Sequence, residues 1–151
     1  QACSITLLTS IDRRFRFACN RRTESNTQKD FVKFLIGLVQ GGYLVPGDFL
    51  ILDNATVHMG KALFPYIVAY LRRHRIQLVR LPTYSPELNP CELVFARIKQ
   101  HMRAEGPSVW DADTNYLRYQ TFDAMLDAAL SSISDDELEN IYAHCRDPET
   151  I

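Results

Sequence analysis

Apolar and polar positions alternate along the 151-residue chain in two rhythms. Ala2–Thr9 and Phe15–Cys19 are short β-leaning runs separated by Ser10–Arg14, a pattern that predicts a hairpin. Asn26 or Thr27 can cap a helix running to about Gln40, with Phe31, Phe34, Leu35 and Leu38 at helical spacing and Gly41-Gly42 as its stop. Pro46-Gly47 turns the chain into Phe49–Asp53, apolar without alternation, which predicts a strand covered on both faces. A helix is expected from about Gly60 to His74, with Leu63, Ile67 and Leu71 on one face, and then a strand over Ile76–Leu81. Strand, helix and strand make a βαβ unit with a right-handed crossover. The proline-rich stretch Leu81–Pro90 reads as loop. Pro90 suits a first helical position, and the helix it opens runs to about Ala104, with Val94, Ile98 and Met102 on its apolar face beside Cys91 and Phe95. Gly106-Pro107 breaks it, and two acidic helices follow, roughly Tyr119–Ser132 and Asp135–His144. The pattern places an α/β core in residues 1–104 and a helical extension in 105–151, with no internal repeat.

Composition changes little in this picture, and charge changes more. With 46% hydrophobic and 23% charged residues the chain is neither disordered nor collagen-like. Its apolar runs are too short to span a bilayer, and no signal peptide is visible. It opens on Gln1 rather than Met, so the expectation is a piece of a longer protein. The net charge of −1 argues at first against a nucleic-acid partner. Summed by segment, however, residues 1–57 carry +2, residues 58–103 carry +6, and residues 104–151 carry −9. The middle segment can attract phosphate and the tail cannot. Cys3, Cys19, Cys91 and Cys145 lack paired spacing, which excludes a CxxC zinc site and disfavours a secreted disulfide framework. His144-Cys145 is too isolated to make a metal site.

Two carboxylates stand out by position. Asp53 ends the expected buried strand, at the edge where open α/β sheets place ligands, and Asn54 and His58 add polar groups there. The plainer alternative is that Asp53 starts a turn and caps the next helix. Glu92 follows Asn89 by three residues, a capping box in sequence, and an acid in a first helical turn suits the dipole. It also shares a helical face with Ala96, Lys99 and Arg103, an acid followed by two bases that suits a metal at the helix start and phosphates along its length. Acids converging from a strand end and a nearby helix are what hard-metal chemistry needs. Magnesium takes oxygen ligands, and two such ions support in-line displacement at phosphorus. No Gly-rich phosphate loop, nucleophile elbow or HExxH motif competes.

The residues around these acids carry a resemblance. LDNATVH (Leu52–His58), LPTYSPELNPCE (Leu81–Glu92) and VFARIKQHMR (Val94–Arg103) resemble the catalytic domain of mariner-type transposases and their bacterial insertion-sequence relatives, in the DDE superfamily of endonucleases. That family's blocks read approximately DNxxxH and LPxYSPxLNPxE, then an aromatic and a lysine, here Phe95 and Lys99. Thirty-eight residues separate Asp53 from Glu92, which is compatible with the family's second and third acids. The resemblance implies an RNase H-like fold, a mixed sheet flanked by helices. It implies three carboxylates holding two Mg2+ (or Mn2+) ions, with Asp53 second and Glu92 third. It further implies hydrolysis of DNA at transposon ends, followed by attack of the freed 3′-hydroxyl on target DNA. Asn54, His58, Lys99 and Arg103 would shape the site or contact DNA, and Tyr84, Ser85 and Asn89 would fix the loop that presents Glu92. Partners would be transposon-end and target DNA and a second copy of the full-length protein, with no membrane. The place of action would be the nucleus of a eukaryote or the cytoplasm of a bacterium.

One part of the pattern is missing. The family's first acid lies on the opening strand, with two more strands before the first helix. Only about two strands precede the Asn26 helix here, and neither holds an acid. They read as the second and third strands, which puts the first strand and its Asp upstream of Gln1. Asp12, the only acid in the first 23 residues, sits in the expected turn. A helix-turn-helix for end recognition is absent as well. Two expectations follow: a catalytic fragment completed by upstream sequence, or a domesticated or decayed relative that binds DNA or protein without catalysis.

Overall fold

The structure is a computed structural model that describes residues 2–9, 15–22, 24–104 and 115–146. It is a mixed α/β chain, and the described residues fall in two compact units: one holds residues 2–9 and 16–89, and the other holds Phe15 and the residues from Pro90 onward. The expected turn at Ser10–Arg14, with Asp12, and the helix break at Gly106-Pro107 lie outside the described residues.

In the first unit β1 (Ala2–Thr9) and β2 (Phe15–Arg22) form one two-stranded sheet. A helix α1 (Gln28–Gln40) follows. Of its two candidate caps, Thr27 is the one used. The Thr27 hydroxyl accepts from the Asp30 backbone N–H, and the Asp30 carboxylate accepts from the Thr27 backbone N–H at 3.0 Å, so two orphan donors are satisfied reciprocally. Asp30 is buried by this exchange. At the other end Gly42 takes φ 70, and the Tyr43 N–H reaches back to the Leu38 carbonyl at 2.8 Å, a Schellman stop. Val45-Pro46-Gly47-Asp48 then makes a tight turn closed by Asp48 N–H to the Val45 carbonyl, with Gly47 at φ 100.

The turn delivers β3 (Phe49–Leu52), which pairs in parallel with β4 (Gln77–Arg80): Phe49 lies opposite Gln77, Leu50 opposite Leu78, Ile51 opposite Val79 and Leu52 opposite Arg80. The connection differs from the single helix expected over 60–74. A one-turn helix α2 (Thr56–Met59) comes first, and α3 (Phe64–Arg73) starts only at Phe64. Pro65 explains the late start, because a proline ring fits the first helical turn and clashes deeper in a helix. α3 ends in a second Schellman stop, with Arg75 rather than glycine at φ 57 and the Ile76 N–H bonded to the Leu71 carbonyl at 2.9 Å.

Two expectations about the sheet change. The described strands form two separate two-stranded sheets rather than one mixed sheet. The strand expected to be covered on both faces is covered on one. Leu50 and Leu52 join Phe31, Leu35, Leu38, Ile67, Leu71 and Ile76 in the core, whereas Phe49, Ile51 and Val79 stay exposed. Both α1 and α3 supply that core, so their apolar faces serve the same side of β3.

The second unit is helical. α4 (Pro90–Ala104), which the sequence pattern groups with the preceding strands, packs here against α5 (Asn115–Ser131) and α6 (Asp135–Arg146). Val94 and Ile98 of α4 are buried, as are Leu126, Ala129, Ile133, Leu138, Ile141 and Cys145. Ser134 starts α6 by accepting the Glu137 N–H at 3.2 Å, and Glu137 pairs with Arg97 of α4. Burial pushes the Tyr142 phenol and the Cys145 thiol up, so both are neutral at neutral pH. No described helix is long and apolar enough to cross a membrane.

Candidate functional site

β3 stops at Leu52, and Asp53 is the first residue beyond it, at the carboxyl end of a parallel pair. Its two oxygens are used differently. Oδ1 accepts the Ala55 backbone N–H at 3.0 Å, closing an Asx turn, and lies 2.8 Å from His58 Nδ1. Oδ2 has one long contact, 3.5 Å from the Asn89 amide. An ionised carboxylate can only accept, so the proton of this pair sits on His58 Nδ1. The turn expected from the plainer reading therefore exists, yet it uses only one oxygen. No side chain caps α2, whose first flanking residue is Ala55. Asp53 thus does not act as a helix cap.

His58 is held from its other side as well. Its ring lies 4.3 Å, centroid to centroid, from that of Phe31 on α1, and Gln28 at the start of α1 donates its amide to the Gly60 carbonyl at 2.6 Å. These contacts tie the one-turn α2 to a long helix, which a four-residue helix needs in order to persist. Gln28 and Phe31 are positioning residues that sequence reasoning missed. Phe31 reads as core by its spacing, and nothing in the pattern marks Gln28.

The loop after β4 is stitched to the same strand end. The Asn54 amide donates to the Leu81 carbonyl at 2.7 Å at the start of the loop, and Asn89 reaches Asp53 at its finish. Between them a short 3-10 turn (Pro86–Leu88) begins at half-buried Ser85, whose carbonyl accepts the Leu88 N–H. Tyr84 differs from its expected loop-fixing role. The residue is 98% exposed and its backbone sits at φ 60, so none of the described residues covers its ring.

The structure therefore brings Asp53, Asn54, His58 and Asn89 together within the first unit. Glu92 opens the second unit, in the first turn of α4 and three residues beyond Asn89. Glu92, Ala96, Lys99 and Arg103 are all exposed, as one helical face shared at their spacing requires. A groove of about 500 Å³ lies elsewhere in the first unit, between β2 and α1, lined by Phe17, Cys19, Asp30, Phe34 and Tyr43 among others. None of the motif residues lines it.

A divalent cation can be tested against this donor set. Asp53 Oδ2 is a hard oxygen, half-exposed, with its companion oxygen already satisfied, and it suits one position of such a shell. Among the described residues no group of three His, Cys, Asp or Glu side chains could hold a metal alone. No curated protein and no solved structure matches the chain. A family model described as DDE superfamily endonuclease matches residues 1–113, about three quarters of the sequence. Enzymes of that kind are transposase-like nucleases that act on DNA and generally use divalent metals. The chain belongs to the DDE superfamily endonucleases.

Proposed function

We propose that this chain is the catalytic part of a transposase, cutting DNA phosphodiesters at transposon ends and joining the freed 3′-hydroxyl to target DNA. The observation that carries the reading is the division of labour on Asp53: one oxygen fixed by Ala55 and His58, the other nearly unengaged at a strand end. In this reading Asp53 and Glu92 are two of three carboxylates holding Mg2+ or Mn2+. The third acid comes from a strand outside residues 1–151, since neither β1 nor β2 contains one. That strand would complete an RNase H-like sheet.

The chain's own residues divide the work as follows. Asp53 presents Oδ2 to the cation. His58, clamped between Asp53 and Phe31, keeps the carboxylate from rotating. Asn54 and Asn89 hold both ends of the loop that leads into Glu92. Lys99 and Arg103, on the exposed face of α4, contact DNA phosphates. The divalent cation supplies Lewis acidity to phosphoryl transfer when bound. In the cell the assembled enzyme works as a dimer, in the nucleus of a eukaryote or the cytoplasm of a bacterium.

The test is metal-dependent nicking of supercoiled DNA by the protein with its upstream strand. Asp53→Ala and Glu92→Ala should each lower the rate at least ~1,000-fold, because removing a carboxylate ligand removes the metal. Parental nicking in both variants would sink the assignment. DNA binding without nicking by the complete protein would identify the non-catalytic binding module instead.

A further inference from the structure

Tyr84 is the most exposed large hydrophobic residue in the described structure, at 98%, and one of two non-glycine residues there with positive φ. Both facts run against tyrosine at this position. An aromatic ring stabilises a fold by being buried, and this ring contributes no burial. The left-handed backbone is unfavourable for a side-chain-bearing residue, a strain that glycine would avoid. The fold therefore gains nothing from the ring and would gain from losing it. Among the described residues nothing covers the ring, which leaves it available for a contact outside them.

The surroundings define that contact. The loop is anchored at Leu81 by Asn54, and three residues of chain place the Tyr84 Cα no more than about 11 Å from that anchor. Pro82 and Pro86 bracket it and limit the backbone conformations of the loop. The residues on either side of it, Thr83 and Ser85, are polar, so the ring is not part of an apolar run in the chain. A protein partner needs an apolar patch at the centre of its interface. A nucleic-acid base needs only one flat face, and every base has one. Charge points the same way: residues 58–89 contain Lys61, Arg72, Arg73, Arg75 and Arg80 against a single acid, Glu87.

We propose that Tyr84 stacks on an unpaired DNA base beside the Asp53 edge, holding a frayed or flipped nucleotide while the adjoining phosphate is cut. The proposal rests on the nuclease reading above, and its test is kept separate by measuring binding without catalysis. The probe is a fluorescein-labelled duplex with a four-nucleotide 3′ overhang carrying 2-aminopurine, titrated in EDTA so that no bond is cut. Tyr84→Ala should weaken binding about tenfold to a hundredfold and abolish the quenching of 2-aminopurine. Tyr84→Phe and Tyr84→Trp should stay within about threefold of the parent, since the ring and not the hydroxyl is used. Tyr66→Ala, at another exposed tyrosine (71%), should change nothing.

Tyr84→Gly sharpens the test. Its thermal midpoint should rise while its DNA affinity falls, opposite signs that a merely structural tyrosine cannot produce. The idea is overturned if Tyr84→Ala binds like the parent, if Tyr84→Phe is as weak as Tyr84→Ala, or if the parent does not bind the probe. A Tyr84→Ala effect on self-association alone would also overturn it, in favour of a second copy as the occupant. If Asp53→Ala nicks normally in the presence of metal, the catalytic reading falls while the stacking result stands.

Discussion

The two units handle unusual residues in opposite ways. In the helical unit local rules account for what the sequence displays. The acid run Asp135-Asp136-Glu137 looks like a binding tail, but it occupies the first turn of α6, where negative charge is favoured, behind a Ser134 cap and beside an Arg97 partner. In the strand-bearing unit several features oppose local rules. Asp53 has an oxygen with only a long contact, Phe49 and Ile51 are exposed on a strand, and both positive-φ non-glycine residues of the described structure, Arg75 and Tyr84, lie there. Carboxylates are thus informative through what their oxygens do and not through their number. Departures from local preference concentrate where function is expected.

The sharpest way to break this comparison is to delete an acid from each unit. Asp53→Asn keeps the size and an oxygen for Ala55 and His58 but removes the charge, and metal-dependent nicking should fall at least ~1,000-fold. Asp136→Asn should leave nicking unchanged and lower stability by about 0.3–1 kcal/mol through the lost dipole interaction. Comparable losses of nicking in both would end the contrast. Removing one core leucine from each unit should show the opposite, a similarity. Leu71 and Leu126 are each only 1% exposed, so Leu71→Ala and Leu126→Ala should each cost about 2–5 kcal/mol in urea denaturation. A loss under 1 kcal/mol in either would mean that its core is not close-packed.

How much of this was legible in the sequence differs between the units for the same reason. Helices written by periodicity and caps, such as Thr27 with Asp30 and the run after Pro90, are local and can be read from neighbours in the chain. The strand-end position of Asp53 follows from the apolar run before it. Its partners do not, because His58, Asn89 and Leu81 meet there only once β3 and β4 are paired. The late start of the helix expected over 60–74 is written in Pro65 and needs only the rule for proline. The uncovered face of β3 was not visible, since four apolar residues in a row fit one covered face or two. Tyr84 is hard to place for a related reason: a tyrosine in a motif reads as a packing residue, and its exposure is not written in the chain.

The smallest expected effect tests whether departures from local rule in the first unit are costly at all. α1 and α3 end in the same hydrogen-bond pattern, one with Gly42 and one with Arg75 in the left-handed position. Gly42→Ala should destabilise by about 1 kcal/mol, the ordinary penalty for a Cβ there. Arg75→Gly removes that penalty but frees the unfolded chain, which offsets about 0.5–1 kcal/mol of the gain. The two terms nearly cancel, and a net stabilisation of about 0.5 kcal/mol is expected in the urea midpoint. A loss above 1 kcal/mol would mean that the arginine side chain stabilises the fold and that its conformation is compensated locally. A gain in stability accompanied by weaker DNA binding would place Arg75 with Tyr84, among residues kept for a partner at the expense of the fold.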